Sequence, residues 1–183
     1  SAYSTSSVLD PRSGRRRVAA PMELLSGLEA LPDPRIKTPI VTWGVFDGVH
    51  RGHRRVIGQL LDWAHRDGVS SVVVTFDRHP SEVLTGRPMP LISPLGERLR
   101  LIGELGVDFL LVLNFTPEFS RLSADRFIRE VVVGGLWARG IVLGHDSRFG
   151  RDRAGDPALV AVLGREPGLE VLHSEAELPE GRA

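Results

Sequence analysis

The chain has 183 residues, 42% hydrophobic and 25% charged, with 23 Lys+Arg against 23 Asp+Glu; it suits one domain with a sizeable core and carries no global charge that would favour nucleic acid or a membrane surface. Cysteine is absent, which excludes disulfides, and Lys37 is the single lysine, so no P-loop with its G-x-x-x-x-G-K-[ST] spelling can be written. No apolar run reaches the length of a membrane-spanning helix and the N-terminus lacks a signal-peptide core, so the expected compartment is the cytoplasm.

Residues 1–20 are rich in Ser and Arg, Arg15-Arg16-Arg17 included, and have no apolar period. They are expected to be a flexible N-terminal extension, with the folded domain over 21–183. Met22, Leu24, Leu25, Leu28 and Leu31 are apolar anchors, and Pro32, Pro34 and Pro39 make a linker. Strand and helix patterns then alternate, the signature of a parallel α/β sheet. The first strand is Ile40–Val45. A helix over about His50 to Arg66 follows, with Val49, His53, Val56, Ile57, Leu60, Leu61 and Ala64 on its inner stripe. Asp67-Gly68 ends it with a left-handed cap. The second strand, Val69–Phe76, is a continuous apolar run, as expected where both faces are covered.

After a loop, Ser93-Pro94 is expected to start the next helix, with Ser93 as N-cap and Pro94 as first residue. Leu99, Ile102 and Leu105 form its stripe, and Gly106 closes it. The third strand is Val107–Leu113. Ser123 caps a further helix that Gly134-Gly135 stops, the fourth strand is Gly140–Leu143, and a short fifth spans Leu169–Leu172. The fold class is α/β: a Rossmann-like, doubly wound, parallel five-stranded sheet of order 3-2-1-4-5.

The densest signal is Thr42-Trp43-Gly44-Val45-Phe46-Asp47-Gly48-Val49-His50-Arg51-Gly52-His53. An apolar strand feeds a glycine-punctuated turn, and two histidines three apart open a helix on one face. Free N–H groups and the helix dipole favour an anion there. Gly52 keeps the space between the imidazoles open, so the segment reads as a triphosphate cradle without a Walker lysine. The plainer alternatives are a surface histidine pair or half of a metal site. Zinc would need further ligands from carboxylates or from His79, His145 or His173, and no metal ligand is assigned. A second glycine-rich loop follows the fourth strand, from Gly144-His145-Asp146-Ser147-Arg148-Phe149-Gly150 to Asp156. By itself it reads as a solvated Arg/Asp loop. In the order 3-2-1-4-5, strands one and four are neighbours at the switch point, which brings Asp47, His50 and His53 towards Asp146 and Arg148.

The H-x-G-H spelling resembles the nucleotidylyltransferase superfamily. G-V-F-D-G-V-H-R-G-H, T-F-D-R-H-P and G-H-D-S-R-F-G-R-D-R-A-G-D, in this order, resemble the FMN adenylyltransferase module of bacterial FAD synthetases, and M-E-L-L-S-G-L-E-A-L-P and L-S-A-D-R-F-I fit as well. The similarity spans about Met22 to Leu172. It implies ATP, magnesium and FMN as ligands, and FAD and pyrophosphate as products. On this resemblance His50, His53, Asp146 and Arg148 are the catalytic residues. Gly44, Val45, Phe46, Asp47, Gly48 and Gly52 form the cradle. Asp77, His79 and Pro80 lie on the flavin side, and Gly144, Phe149 and Gly150 belong to the second loop. Magnesium is expected on phosphates and water, without a dedicated ligand.

The sequence departs from that pattern at Arg78, where the family has proline, and at Ser147, where it has an aromatic residue. The S-S-T-x-x-R segment and the riboflavin kinase domain that commonly follow are expected to be absent from this chain, which reads as a fragment or a reduced relative. Partners are therefore ATP and FMN, with neither nucleic acid nor membrane, and a riboflavin kinase domain downstream in the longer form. The alternatives are an H-x-G-H transferase with another phosphorylated acceptor, and a non-catalytic nucleotide- or flavin-binding protein.

Overall fold

A computed structural model describes residues 7–9, 16–18, 20–144 and 165–174. Among these described residues, eight strands and five α-helices are numbered in chain order. β1 (Ser7–Leu9) and β2 (Arg16–Val18) pair antiparallel, so the stretch read as a flexible extension contains a short two-stranded ribbon. Its strands are three residues each, too brief to show an alternating pattern.

The remaining strands are β3 (Glu23–Ser26), β4 (Ile40–Trp43), β5 (Ser71–Phe76), β6 (Phe109–Leu113), β7 (Gly140–Leu143) and β8 (Glu170–His173). They form one sheet of order β3-β6-β5-β4-β7-β8, and every neighbouring pair is parallel. The expected 3-2-1-4-5 order is present from β6 to β8. The strand count is corrected from five to six, because β3 joins the edge beside β6, Leu25 against Leu111. Its sequence, Glu-Leu-Leu-Ser, looked like anchors rather than a strand because four residues with two adjacent leucines carry no period.

Strand residues alternate between two cores, one on each face. Val41, Trp43, Val72, Val74, Leu111 and Leu113 pack on one side with Phe127, Ile128, Val131 and Val132. Ile40, Val73, Leu110 and Val112 pack on the other with Ile57, Leu60, Leu99 and Ile102. Burial on both faces explains the uninterrupted Val/Leu runs. α1 (Arg51–Asp67) ends at Gly68, whose φ of 67° is the left-handed cap expected there. Trp63 joins its buried stripe and lies so close over β7 that a Cβ on Gly140 would sit 2.5 Å from the indole ring.

Two short helices, α2 (Pro80–Thr85) and α4 (Pro117–Ser120), stand where loops were expected. Each is too short to build an amphipathic stripe. α3 spans Leu95–Glu104. α5 (Ala124–Arg126) is capped by Ser123, as its sequence indicated, and continues as a π-helical segment over Phe127–Val133. Among the described residues, no helix is long and apolar enough to cross a membrane.

Candidate active site

β4 lies between β5 and β7, so the chain leaves the sheet's carboxyl edge on either side of the switch point. The loop after β4 is strained. Phe46 (φ 53°), Gly48 (φ 71°) and Val49 (φ 44°) all adopt left-handed backbone, costly for a bulky and a β-branched residue. Phe46 and Val49 are buried, and that packing holds the conformation. A short 3-10 turn, Asp47–Val49, then delivers the chain to α1.

His50 is the N-cap of α1, and its Nδ1 accepts the Gly52 N–H at 3.1 Å. With Nδ1 accepting, Nε2 is the ring nitrogen that carries a proton to donate. The His50 ring stacks on His53, with centroids 3.5 Å apart and planes 24° from parallel. The Phe46 ring meets His53 edge-on at 5.3 Å. His50 is exposed and His53 half-buried, so the pair lies at the mouth of the loop rather than inside the core. A Cβ on Gly52 would approach the His50 ring to 3.1 Å, which explains the glycine between them.

Asp47 faces inward. Its Oδ2 accepts the Ile92 N–H at 2.9 Å, and its Oδ1 accepts the Ser93 N–H at 3.0 Å and the Ser93 hydroxyl at 3.2 Å. The Gly48 N–H donates to Ser93 Oγ at 3.0 Å. Burial works against the ionised carboxyl, but these hydrogen bonds and the charge of Arg98 hold its pKa below the usual carboxylate value. Ser93 is therefore not the N-cap of α3 that its sequence suggested; Pro94 holds that position without a side-chain bond. The hydroxyl is drawn to the β4 loop instead. Asp47 and Gly48, expected in the phosphate cradle, fasten that loop to the segment before α3.

The loop after β5 repeats the histidine device. His79 is the N-cap of α2, its Nδ1 accepts the Ser81 N–H at 3.1 Å, and Pro80 is the first helical residue. Asp77 accepts the Phe115 N–H at 2.8 Å through Oδ1 and donates its own N–H to the Leu113 carbonyl, tying β5 to β6. Gly44 extends the pairing of β4 by donating to the Val74 carbonyl. Val45 presents its carbonyl to Thr75 Oγ1 at 3.1 Å and to Arg98 Nη1 at 2.6 Å.

Arg98 did not stand out in the sequence, although it shares the inner stripe of α3 with Leu99 and Ile102 at helical spacing. Its side chain is fully buried, and Nη2 donates to the Phe76 carbonyl at 2.9 Å. Burial lowers its pKa, opposed by the charges of Asp47 and Asp77; a guanidinium starts so basic that it stays charged. Gly144 directly follows β7 at the same carboxyl edge. Asp146, Arg148, Phe149 and Gly150, with Ser147, lie outside the described residues.

The FAD synthetase family profile matches residues 34–180, most of the chain and all of the edge just described. The chain belongs to the FAD synthetase family. It is 32% identical over 155 residues to the bifunctional riboflavin kinase/FMN adenylyltransferase of Escherichia coli K12, covering 84% of this chain and 50% of that protein. It is 36% identical over 150 residues to the enzyme of the same name from Pseudomonas fluorescens, covering 82% and 48%. The chain thus spans about half the length of the curated relatives it matches. The crystal structure of the macrolide-efflux protein from Streptococcus pneumoniae superposes with a TM-score of 0.69 at 26% identity, over 85% of this chain and 53% of that one. That structure shares the overall fold of this chain, and the histidine pair sits at the carboxyl edge of the sheet.

Proposed function

We propose that this FAD synthetase domain transfers AMP from ATP to FMN, giving FAD and pyrophosphate. The observation that carries the reading is the stacked His50–His53 pair at the N-terminus of α1. Two imidazoles on one face, with His50 Nε2 left as a donor, suit the oxygens of a polyphosphate at a helix start. An FMN phosphate oxygen attacks the α-phosphorus of ATP in line, the bond to the bridging oxygen breaks, and pyrophosphate leaves. Catalysis of this kind is alignment and charge neutralisation more than covalent chemistry. Gly44, Val45, Phe46, Asp47, Gly48 and Gly52 are assigned to the ATP side, Asp47 and Gly48 by holding the loop in shape. We assign Asp77, His79 and Pro80 to the acceptor and Gly144 to the nucleotide, together with Asp146, Arg148, Phe149 and Gly150, whose assignment rests on the family motif alone.

Magnesium would be carried on the ATP phosphates and water, since this cation keeps much of its hydration. We place the reaction in the cytoplasm, with riboflavin phosphorylation as the companion activity named for the curated relatives. Calorimetry with ATP·Mg and with FMN, followed by chromatographic detection of FAD, tests the proposal. Binding of both and formation of FAD support it. Binding of ATP with a different phosphorylated acceptor removes the flavin assignment, and absence of nucleotide binding removes the reading altogether.

A further inference from the structure

Arg98 is the structural oddity of the carboxyl edge. A fully buried guanidinium is expensive to desolvate, and well-packed apolar residues often replace such charges without loss of stability. Its Nε has no hydrogen-bond partner and is itself buried. Stability of the α3 stripe therefore does not account for an arginine there, and its two bonded nitrogens do. Nη1 holds the carbonyl of Val45 at 2.6 Å and Nη2 that of Phe76 at 2.9 Å. Val45 lies at the start of the loop that carries His50, and Phe76 is the last residue of β5 before the loop that carries His79. The guanidinium is one rigid plane, so displacement of either carbonyl is passed to the other. Asp47, two residues after Val45, and Asp77, directly after Phe76, supply the negative charge that favours the cation. Thr75 Oγ1 shares the Val45 carbonyl, which adds a second tie between the same strand ends.

We infer that Arg98 is a positioning residue that couples the two ligand loops, so that the phosphate side and the acceptor side keep a fixed spacing. The substrate labels rest on the proposed AMP transfer; the coupling of the loops does not. In-line transfer depends on the distance between attacking oxygen and phosphorus, and small misplacements cost heavily in rate. One buried fork spanning both loop bases sets that distance from beneath, without touching either substrate.

The test replaces Arg98 by Met, which preserves volume, and by Lys, which keeps charge but loses the fork. Amide hydrogen exchange is read over residues 46–50 and 77–79, and ATP·Mg and FMN affinities are measured well below the melting temperature. In Arg98→Met, exchange is expected to quicken in both loops together while β6 and the middle of α1 stay protected. Both affinities are expected to fall several-fold, and Arg98→Lys should restore part of each. Should the Met variant fail to fold, the Lys variant against the unsubstituted protein carries the test, with a smaller fall in both affinities. Unchanged exchange, loosening of one loop alone, unchanged affinities in a loosened Met variant, or a Lys variant identical to the parent when Met fails to fold would each overturn the inference. If the parent protein binds neither ATP nor FMN yet both loops loosen together, the coupling stands and the proposed function falls.

Discussion

The loops after β4 and β5 meet the same local problem in the same way. In each, a histidine caps the next helix by accepting the N–H two residues on, at 3.1 Å in both, and so keeps its Nε2 as a donor. The differences lie around that cap. The first loop forces Phe46 and Val49 into left-handed backbone and stacks a second imidazole, His53, on the first. It then launches a 17-residue helix, whereas the second launches one of six residues. The cap is thus a generic way to start a helix, and the strain and the stack are specific to the first loop. Strained, over-determined backbone gathers at functional sites; under the proposed AMP transfer, the first loop is therefore the one assigned to the phosphates.

The comparison breaks most visibly at His53. His53→Ala removes the stacked ring but no cap, so its melting temperature should stay close to the parent's. Loss of a positioned donor from a phosphoryl-transfer site costs on the order of 10²-fold in rate, and ATP handling should weaken accordingly. His50→Asn sharpens the same point, because asparagine is a good N-cap yet lacks Nε2; stability should hold while ATP affinity falls. A large drop in melting temperature with normal ATP affinity in His53→Ala would make His53 a core residue.

Asp47 tests the anchorage of the first loop. Asp47→Ala leaves the N–H groups of Ile92 and Ser93 without their acceptor, at a cost of about 1–3 kcal/mol. Because the folded pKa of Asp47 is lowered, its contribution is complete above the unfolded carboxylate value of about 3.9 and is lost as pH falls through the lower folded value. Urea midpoints of parent and variant should therefore differ by a constant amount above about pH 5 and converge in acid. A gap that widens as pH falls would contradict this assignment.

How far the sequence carried the reading follows from the kind of signal each part emits. The parallel sheet was legible because strands buried on both faces write long Val/Leu runs, and the first loop because glycines and histidines at fixed spacing have few other uses. β3 and α2 are too short for any period to emerge. Ser93 misled for a physical reason: Ser-Pro is a sound helix start, but Gly48 and Asp47 compete for the same hydroxyl and win. Arg98 was detectable in principle, as an arginine on the inner stripe of an amphipathic helix. What it holds could not be read, because backbone carbonyls leave no trace in a sequence.

In the second loop, His79→Ala should cost about 1 kcal/mol, the usual value of an N-cap, and should leave ATP affinity unchanged. His79→Asn should recover the stability. If FMN affinity follows the imidazole rather than the cap, falling in both variants, His79 Nε2 lies on the acceptor side; if it follows the cap, the ring is purely structural. A fall in ATP affinity in either variant would end the distinction between the two loops.

The smallest effect on stability, and the closest test of the comparison, is at Gly52. If glycine were needed for the histidine cap, the second loop could not work, because its corresponding residue is Ser81, which has a Cβ and still donates to His79 at 3.1 Å. Glycine at position 52 must then serve what the second loop lacks. A Cβ there would lie 3.1 Å from His50 Cε1 and 3.3 Å from Nδ1, so the ring would have to shift against its stacked partner by a few tenths of an ångström. Gly52→Ser or Gly52→Ala also gains helix propensity, roughly 0.5–1 kcal/mol for alanine, which offsets the cost of moving an exposed ring. Melting temperature should therefore change little, while ATP affinity falls several-fold because both imidazoles have lost their alignment. Retained ATP affinity in Gly52→Ser would mean that the stack tolerates the same residue the second loop uses, and the specificity assigned to the first loop would then rest on its backbone strain alone.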